Sequence, residues 1–157
     1  MTVRVLAIRI NRRALAVAMM EDEQLAFRDG RHLSSNVDRA ARTTDRYVRQ
    51  ILELAKPTNV ILDVPAPAGR ITERLMLAVH GAVAATALTA ERVTAGDVLA
   101  SYGVRGLRSR TELLRMANDL WPELVDVSKG LKPYLVAAAA TALYGEVQLQ
   151  LGPSRPT

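Results

Sequence analysis

The chain contains no cysteine, which excludes a disulfide framework and any thiolate metal site and fits a reducing compartment. Histidine is nearly absent too. His32 and His80 are the only two, and neither has a second ligand one helical turn away, so a histidine-based metal or catalytic centre is not expected. His80 reads as a packed or interfacial side chain. Aromatics make up only 4% of the residues, Phe27, Trp121 and four scattered tyrosines, which argues against a stacking platform for single-stranded nucleic acid. Nowhere do about 18 uncharged apolar residues follow one another, and the apolar start of the chain is broken by Arg4 and Arg9. The expectation is therefore a cytoplasmic protein with neither signal peptide nor membrane span. A glycine-rich phosphate loop, a Ser/His/Asp set, internal repeats and a dividing linker are also missing.

What remains is one domain's worth of chain. A length of 157 residues suffices to bury about 68–70% of the surface of the unfolded chain, so no covalent staple is required. Lys and Arg outnumber Asp and Glu by 21 to 16, giving a net charge of +5, which permits attraction to phosphates without demanding it. Eighteen of the basic residues are arginine, a bias that a GC-rich genome alone would also produce.

Val3 to Ile10 is a β-rich run, Asn11-Arg12-Arg13 a turn, and Ala14 to Met20 a second run. Glu21-Asp22-Glu23 makes another turn before Gln24 to Phe27. These form an antiparallel meander of three strands. From Asn36 the period changes to helical through Ala55, with Pro57 as the stop. Arg39, Arg42, Arg46 and Arg49 line the opposite face of this helix. Asp38 and Asp45 stand four residues before Arg42 and Arg49, the spacing of local ion pairs, so this stripe reads as a solvated, self-neutralised face. "NVILDVPAP" has the pattern of a buried parallel strand that delivers Asp63 to its C-terminal edge.

Leu75 to Leu88 is apolar on nearly all sides, a helix expected in the core or in a dimer interface formed by Leu75, Val79, His80 and Val83. Val93 belongs to a short strand, and Thr94 with Asp97 has the offset of a capping box for the helix that Gly103 closes. Ser109 and Glu112 form a second capping box, in the most basic segment of the chain. Arg105, Arg108, Arg110 and Arg115 there are candidates for phosphate binding, as are Arg12 and Arg13 at the first hairpin tip. An alanine-rich helix follows, with Pro133 in its first turn and Gly145 at its end. The domain is expected over residues 1–147, and residues 148–157 are expected to be a flexible tail.

Strands one to three, helix, acid-tipped strand four, helix, strand five and a final small-residue helix make up the layout of the RNase H-like fold. Within it, "VLAIRINRRALAVAMM", "VILDVP", the apolar helix Ile71 to Leu88, the basic link Gly103 to Arg110 and "VAAAATALY" resemble the RuvC-type Holliday-junction resolvases over residues 3 to 147. The resemblance implies an α/β fold with a mixed five-stranded sheet: strands 1–3 antiparallel, strands 4 and 5 parallel, helices flanking. It also implies two Mg²⁺ ions held by four carboxylates, one on strand one, one ending strand four and two on the last helix, since paired dications need hard anionic ligands. Carried onto this chain, strand one has Arg9 instead of an acid, strand four keeps Asp63, and Lys132 (or Pro133) and Leu135 (or Val136) take the last two positions. Val127 to Gly145 contains no carboxylate at all. The metal site is therefore expected to be lost, with no cofactor, and Arg9 is expected to pair with Asp63.

Two functions of different kind follow. One is a catalytically inactive RuvC-like homodimer that binds branched DNA through its basic surface in recombination or repair. The other is a structural or protein-interaction homodimer whose arginines only solubilise it. A residual metal-dependent endonuclease would need further ligands, and Glu73 is the acid nearest in sequence after Asp63.

Overall fold

The structure is a computed structural model that describes residues 2–64, 68–94, 97–98, 115–116, 119–124 and 127–150. Three strands open it: β1 (Arg4–Ile10), β2 (Ala14–Glu21) and β3 (Gln24–His32). The first hairpin closes on the two residues Arg12 and Arg13, where the backbone N–H of Arg13 donates to Asn11 Oδ1 at 2.9 Å and the Asn11 and Ala14 backbones bond each other. The second hairpin turns on Asp22 and Glu23, with φ of 52° and 63°. Two successive positive φ values give a tight turn the hand that matches strand twist. A bulge between Met19 and Met20 precedes it. β3 extends five residues beyond the expected Phe27, because it lies at the sheet edge where one face meets water and its charged tail "RDGRH" can pair without being buried.

Helix α1 (Val37–Ala55) begins at Asn36, whose Oδ1 accepts from the backbone N–H of Arg39 at 2.9 Å, and ends at Lys56 in the left-handed region. β4 (Asn59–Val64) then enters parallel to β1, in the register that sets Arg9 opposite Asp63. Helix α2 (Arg70–Ala84) stops four residues before the expected Leu88, and β5 (Ala90–Thr94) pairs parallel to β4. The expected capping box after it is formed: Asp97 N–H donates to Thr94 Oγ1 at 3.0 Å and Thr94 N–H donates to Asp97 Oδ2 at 3.4 Å. A single 3₁₀ turn (Pro122–Leu124) precedes the last described helix, α3 (Lys132–Gln150). Strand order is β3-β2-β1-β4-β5, so the antiparallel meander and the two parallel strands share one mixed sheet.

Alternation along the strands assigns two faces. Leu6, Ile8 and Ile10 of β1 with Val60, Leu62 and Val64 of β4 pack under α1 and α2. Ala7 of β1 and Ala16 and Ala18 of β2 face the alanines of α3. Small residues on both sides let this helix lie close to the sheet. Gly145 sits inside α3 instead of ending it, because an added Cβ would run into Ile61 Cδ1 and come within 3.1 Å of Val5 Cγ1. Residues 148–150, expected in a tail, are the last turn of this helix. No helix of the described residues is long and apolar enough to cross a membrane.

Candidate functional site

Arg9 and Asp63 alternate with core residues that face α1 and α2, so both side chains are directed to the α3 side, at the C-terminal ends of two adjacent parallel strands. Arg9 Nη1 donates to Asp63 Oδ1 at 2.8 Å, and the two side chains are only 5% and 2% exposed. Thr141 Oγ1 of α3 donates to the other carboxylate oxygen, Asp63 Oδ2, at 3.1 Å. Ala16 on β2 is the cross-strand partner of Arg9, and its short side chain leaves room for the guanidinium. The desolvation of a charge pair withdrawn from water to this degree is offset by the mutual attraction of the charges and by further hydrogen bonds to their polar atoms. Asp63 is bonded at both oxygens. Arg9 Nε is buried with no hydrogen-bond partner among the described residues.

The expected contact between Arg9 and Asp63 is thus formed. On the last helix, the residue that reaches Asp63 is Thr141, which sequence reasoning missed. Lys132 is the first residue of α3 and Leu135 lies buried in the core beneath the sheet, about 13.5 Å and 9 Å of helix axis before Thr141. Glu73 does not turn towards Asp63. Its carboxylate lies 3.7 Å from Arg92 Nη2 on the surface. Arg12 and Arg13 are exposed at the hairpin tip, where they line a groove of about 330 Å³ with Ser34, Ser35 and Ile71. Arg115 is exposed on a helical turn, whereas Arg105, Arg108 and Arg110, with the Ser109 and Glu112 cap, lie outside the described residues.

The dimer surface expected from α2 requires correction. Leu75, Val79 and Val83 are fully buried within the chain's own core, against α1 and the sheet, and cannot present a face to a partner. The helix is amphipathic after all. Its outward side carries Leu77, 70% exposed, with Gly81 and Ala84 at the following turns and His80 half-buried beside them.

Two further buried polar groups have partners that the sequence does not show. Glu146 on α3 is almost wholly buried, and its Oε1 accepts from the backbone N–H of Glu23 at 2.7 Å, tying the second hairpin turn to the last helix. Tyr47 of α1 donates its hydroxyl to Asp29 Oδ2 at 2.6 Å, with the Arg31 guanidinium 4.9 Å above its ring. Burial first, and then the Asp29 carboxylate, push the Tyr47 hydroxyl well above its ordinary pKa of 10.0.

No family model matches the chain, and no curated protein matches its sequence. Among solved structures, RuvC of Thermus thermophilus superposes with a TM-score of 0.77 at 15% identity over 98% of this chain and 99% of that one. T. thermophilus RuvC in complex with a Holliday junction substrate gives 0.76 at 14% identity, over 99% of both chains. The yeast mitochondrial Holliday junction resolvase Ydc2 gives 0.68 at 13%, over 96% of this chain and 82% of that one. Strand order, the placement of Asp63 at the end of β4 and the near-complete superposition agree: the chain has the RNase H-like fold in its RuvC-type form.

Proposed function

We propose that this chain is a catalytically inactive RuvC-like protein that binds branched DNA as a homodimer in recombination or repair. The observation that carries the loss of catalysis is the engagement of both Asp63 oxygens, one by a guanidinium and the other by a threonine hydroxyl. The pair of Mg²⁺ ions that the resemblance implies does not fit these residues. Such ions need several anionic oxygens converging on one place, whereas here a fixed cation occupies the position facing the one retained acid. Among the described residues no three acidic or histidine side chains come together. Arg9 neutralises Asp63 as a metal would, but it has no vacant coordination position at which to activate water.

Binding rests on a different part of the molecule. The exposed Arg12, Arg13 and Arg115, with Arg105, Arg108 and Arg110 of the same basic segment, supply guanidiniums for phosphates, and phosphate contacts position a protein without reading sequence. One neighbour solved with a Holliday junction substrate and another described as a Holliday junction resolvase support branched DNA as the ligand. For the dimer, the outward face of α2 around Leu77, Gly81 and Ala84 is the surface this fold offers.

The test is fluorescence anisotropy of the purified protein with a four-way junction and with a linear duplex of the same sequence, at several salt concentrations with Mg²⁺ present. Tighter junction binding, a steep loss with salt and intact DNA afterwards are expected. Cleaved junctions would refute inactivity, and equal, weak binding to both ligands would turn the assignment to a protein-interaction role.

A further inference from the structure

The arginine stripe of α1 reads in sequence as a self-neutralised surface, with Asp38 holding Arg42 and Asp45 holding Arg49. In the structure only the second pair forms, with Arg49 Nε 3.1 Å from Asp45 Oδ1. Asp38 turns away from Arg42 and pairs instead with Arg74 of α2. Arg39, Arg42 and Arg46 are consequently exposed with no carboxylate partner among the described residues. Their spacing of three and four residues keeps all three on the outward side of the helix, at about 0, 4.5 and 10.5 Å along its axis.

We propose that this face of α1 is a second phosphate-binding surface, taking the backbone of duplex nucleic acid on the side of the sheet opposite Arg9 and Asp63. One strand of a duplex presents a phosphate for about every 3.4 Å of its axis, so three guanidiniums over 10.5 Å match a short run of one backbone. The face offers no aromatic platform, since Tyr47, the aromatic residue of α1, is buried in the core, which favours a duplex over a stacked single strand. A groove of about 460 Å³ runs beside Arg42 and Arg46 towards α2, with Asp38 and Asp45 in its wall already engaged by Arg74 and Arg49. Arg12 and Arg13 line a separate groove with Val37 and Ala40, on another side of the first turn of α1.

This rests on the reading that the chain binds DNA, and it adds where a duplex is held. The test compares the wild type, the triple variant Arg39→Gln/Arg42→Gln/Arg46→Gln, and a variant that loses the same charge elsewhere, Lys56→Asn/Arg92→Gln/Lys129→Gln. Each is titrated with a linear duplex and a four-way junction across salt concentrations, after circular dichroism shows that its fold is intact. Each phosphate contact removed should lower the slope of log K against log salt by about 0.9, so the α1 variant should lose nearly three units of slope and at least about tenfold in affinity. The charge-matched variant should lose far less. Equal losses in both variants, or an unchanged slope in the α1 variant while the wild type still binds the junction, would overturn this surface and leave the proposed function standing. A wild type that binds neither DNA would overturn both.

Discussion

Arg9 is a charge placed where a sheet has no water to offer it, and its stability depends on one partner. Removing the Asp63 charge by Asp63→Asn leaves the guanidinium buried and uncompensated, and should lower the unfolding free energy in urea by about 3–5 kcal/mol. Replacing both residues, Arg9→Met with Asp63→Leu, should restore most of that loss. A single-variant loss below about 1 kcal/mol would show that the pair is not closed in solution. Tyr47 gives a pH signature. Because burial and Asp29 raise its pKa, its contribution is complete below pH 10 and is lost as pH rises further, since the unfolded chain gives up this proton first. Urea midpoints measured on either side of pH 10 should therefore fall more steeply for the wild type than for Tyr47→Phe. Arg9 and Asp63 were legible in sequence because a charge inside or ending an apolar run stands out. Thr141 was not, because one threonine among alanines looks like helix filler until the strand beneath it is known. Glu146 lies one residue beyond the segment in which acids were sought, and its burial comes from a hairpin turn 123 residues earlier.

At the level of elements, apolar runs marked the five described strands and α2, a helical period marked α1 and alanine content marked α3, while the ends depended on neighbours that sequence does not show. Gly145 illustrates this. Read locally it stops a helix, yet in the fold it lets α3 approach β1 and β4. Gly145→Ala should destabilise the chain by about 1–3 kcal/mol through overpacking. In an Ile61→Val background, which removes the atom that the new methyl would strike, the same change should become neutral or stabilising, because alanine is the better helix former by about 1 kcal/mol. Thermal melts of the four chains check the sign of that coupling. For α2, near-continuous apolarity concealed an inner and an outer side. Leu77→Glu should turn the proposed dimer into a monomer in light scattering without lowering the melting temperature. A variant that stays dimeric would move the interface off this helix.

Across the whole molecule, one sheet separates two layers of different character. The α1 and α2 layer buries large aliphatic residues and shows arginines outward, whereas the α3 layer is built from alanines drawn close to the strands and encloses the charge pair. The mixed sheet followed from the resemblance of the element order to the RNase H-like layout, and the location of Asp63 from the apolar run that it ends, whereas the strand order is visible only in the structure. A ligand that binds only the folded chain raises its melting temperature. With Arg9 in place, millimolar Mg²⁺ should therefore leave the melting temperature unchanged, and a rise of several degrees would sink the proposed loss of the metal site.

The Arg9 and Asp63 pair also gives the site's history a direction. Exchanging either residue alone passes through a chain with an unmatched buried charge, at a cost of about 3–5 kcal/mol against a total stability of about 5–15 kcal/mol for an ordinary domain. A lineage carrying this pair can acquire a carboxylate at position 9 only by changing two positions together or by first accumulating stability elsewhere. The ion pair thus works as a ratchet, keeping a carboxylate at position 9 out of easy reach for descendants of this chain.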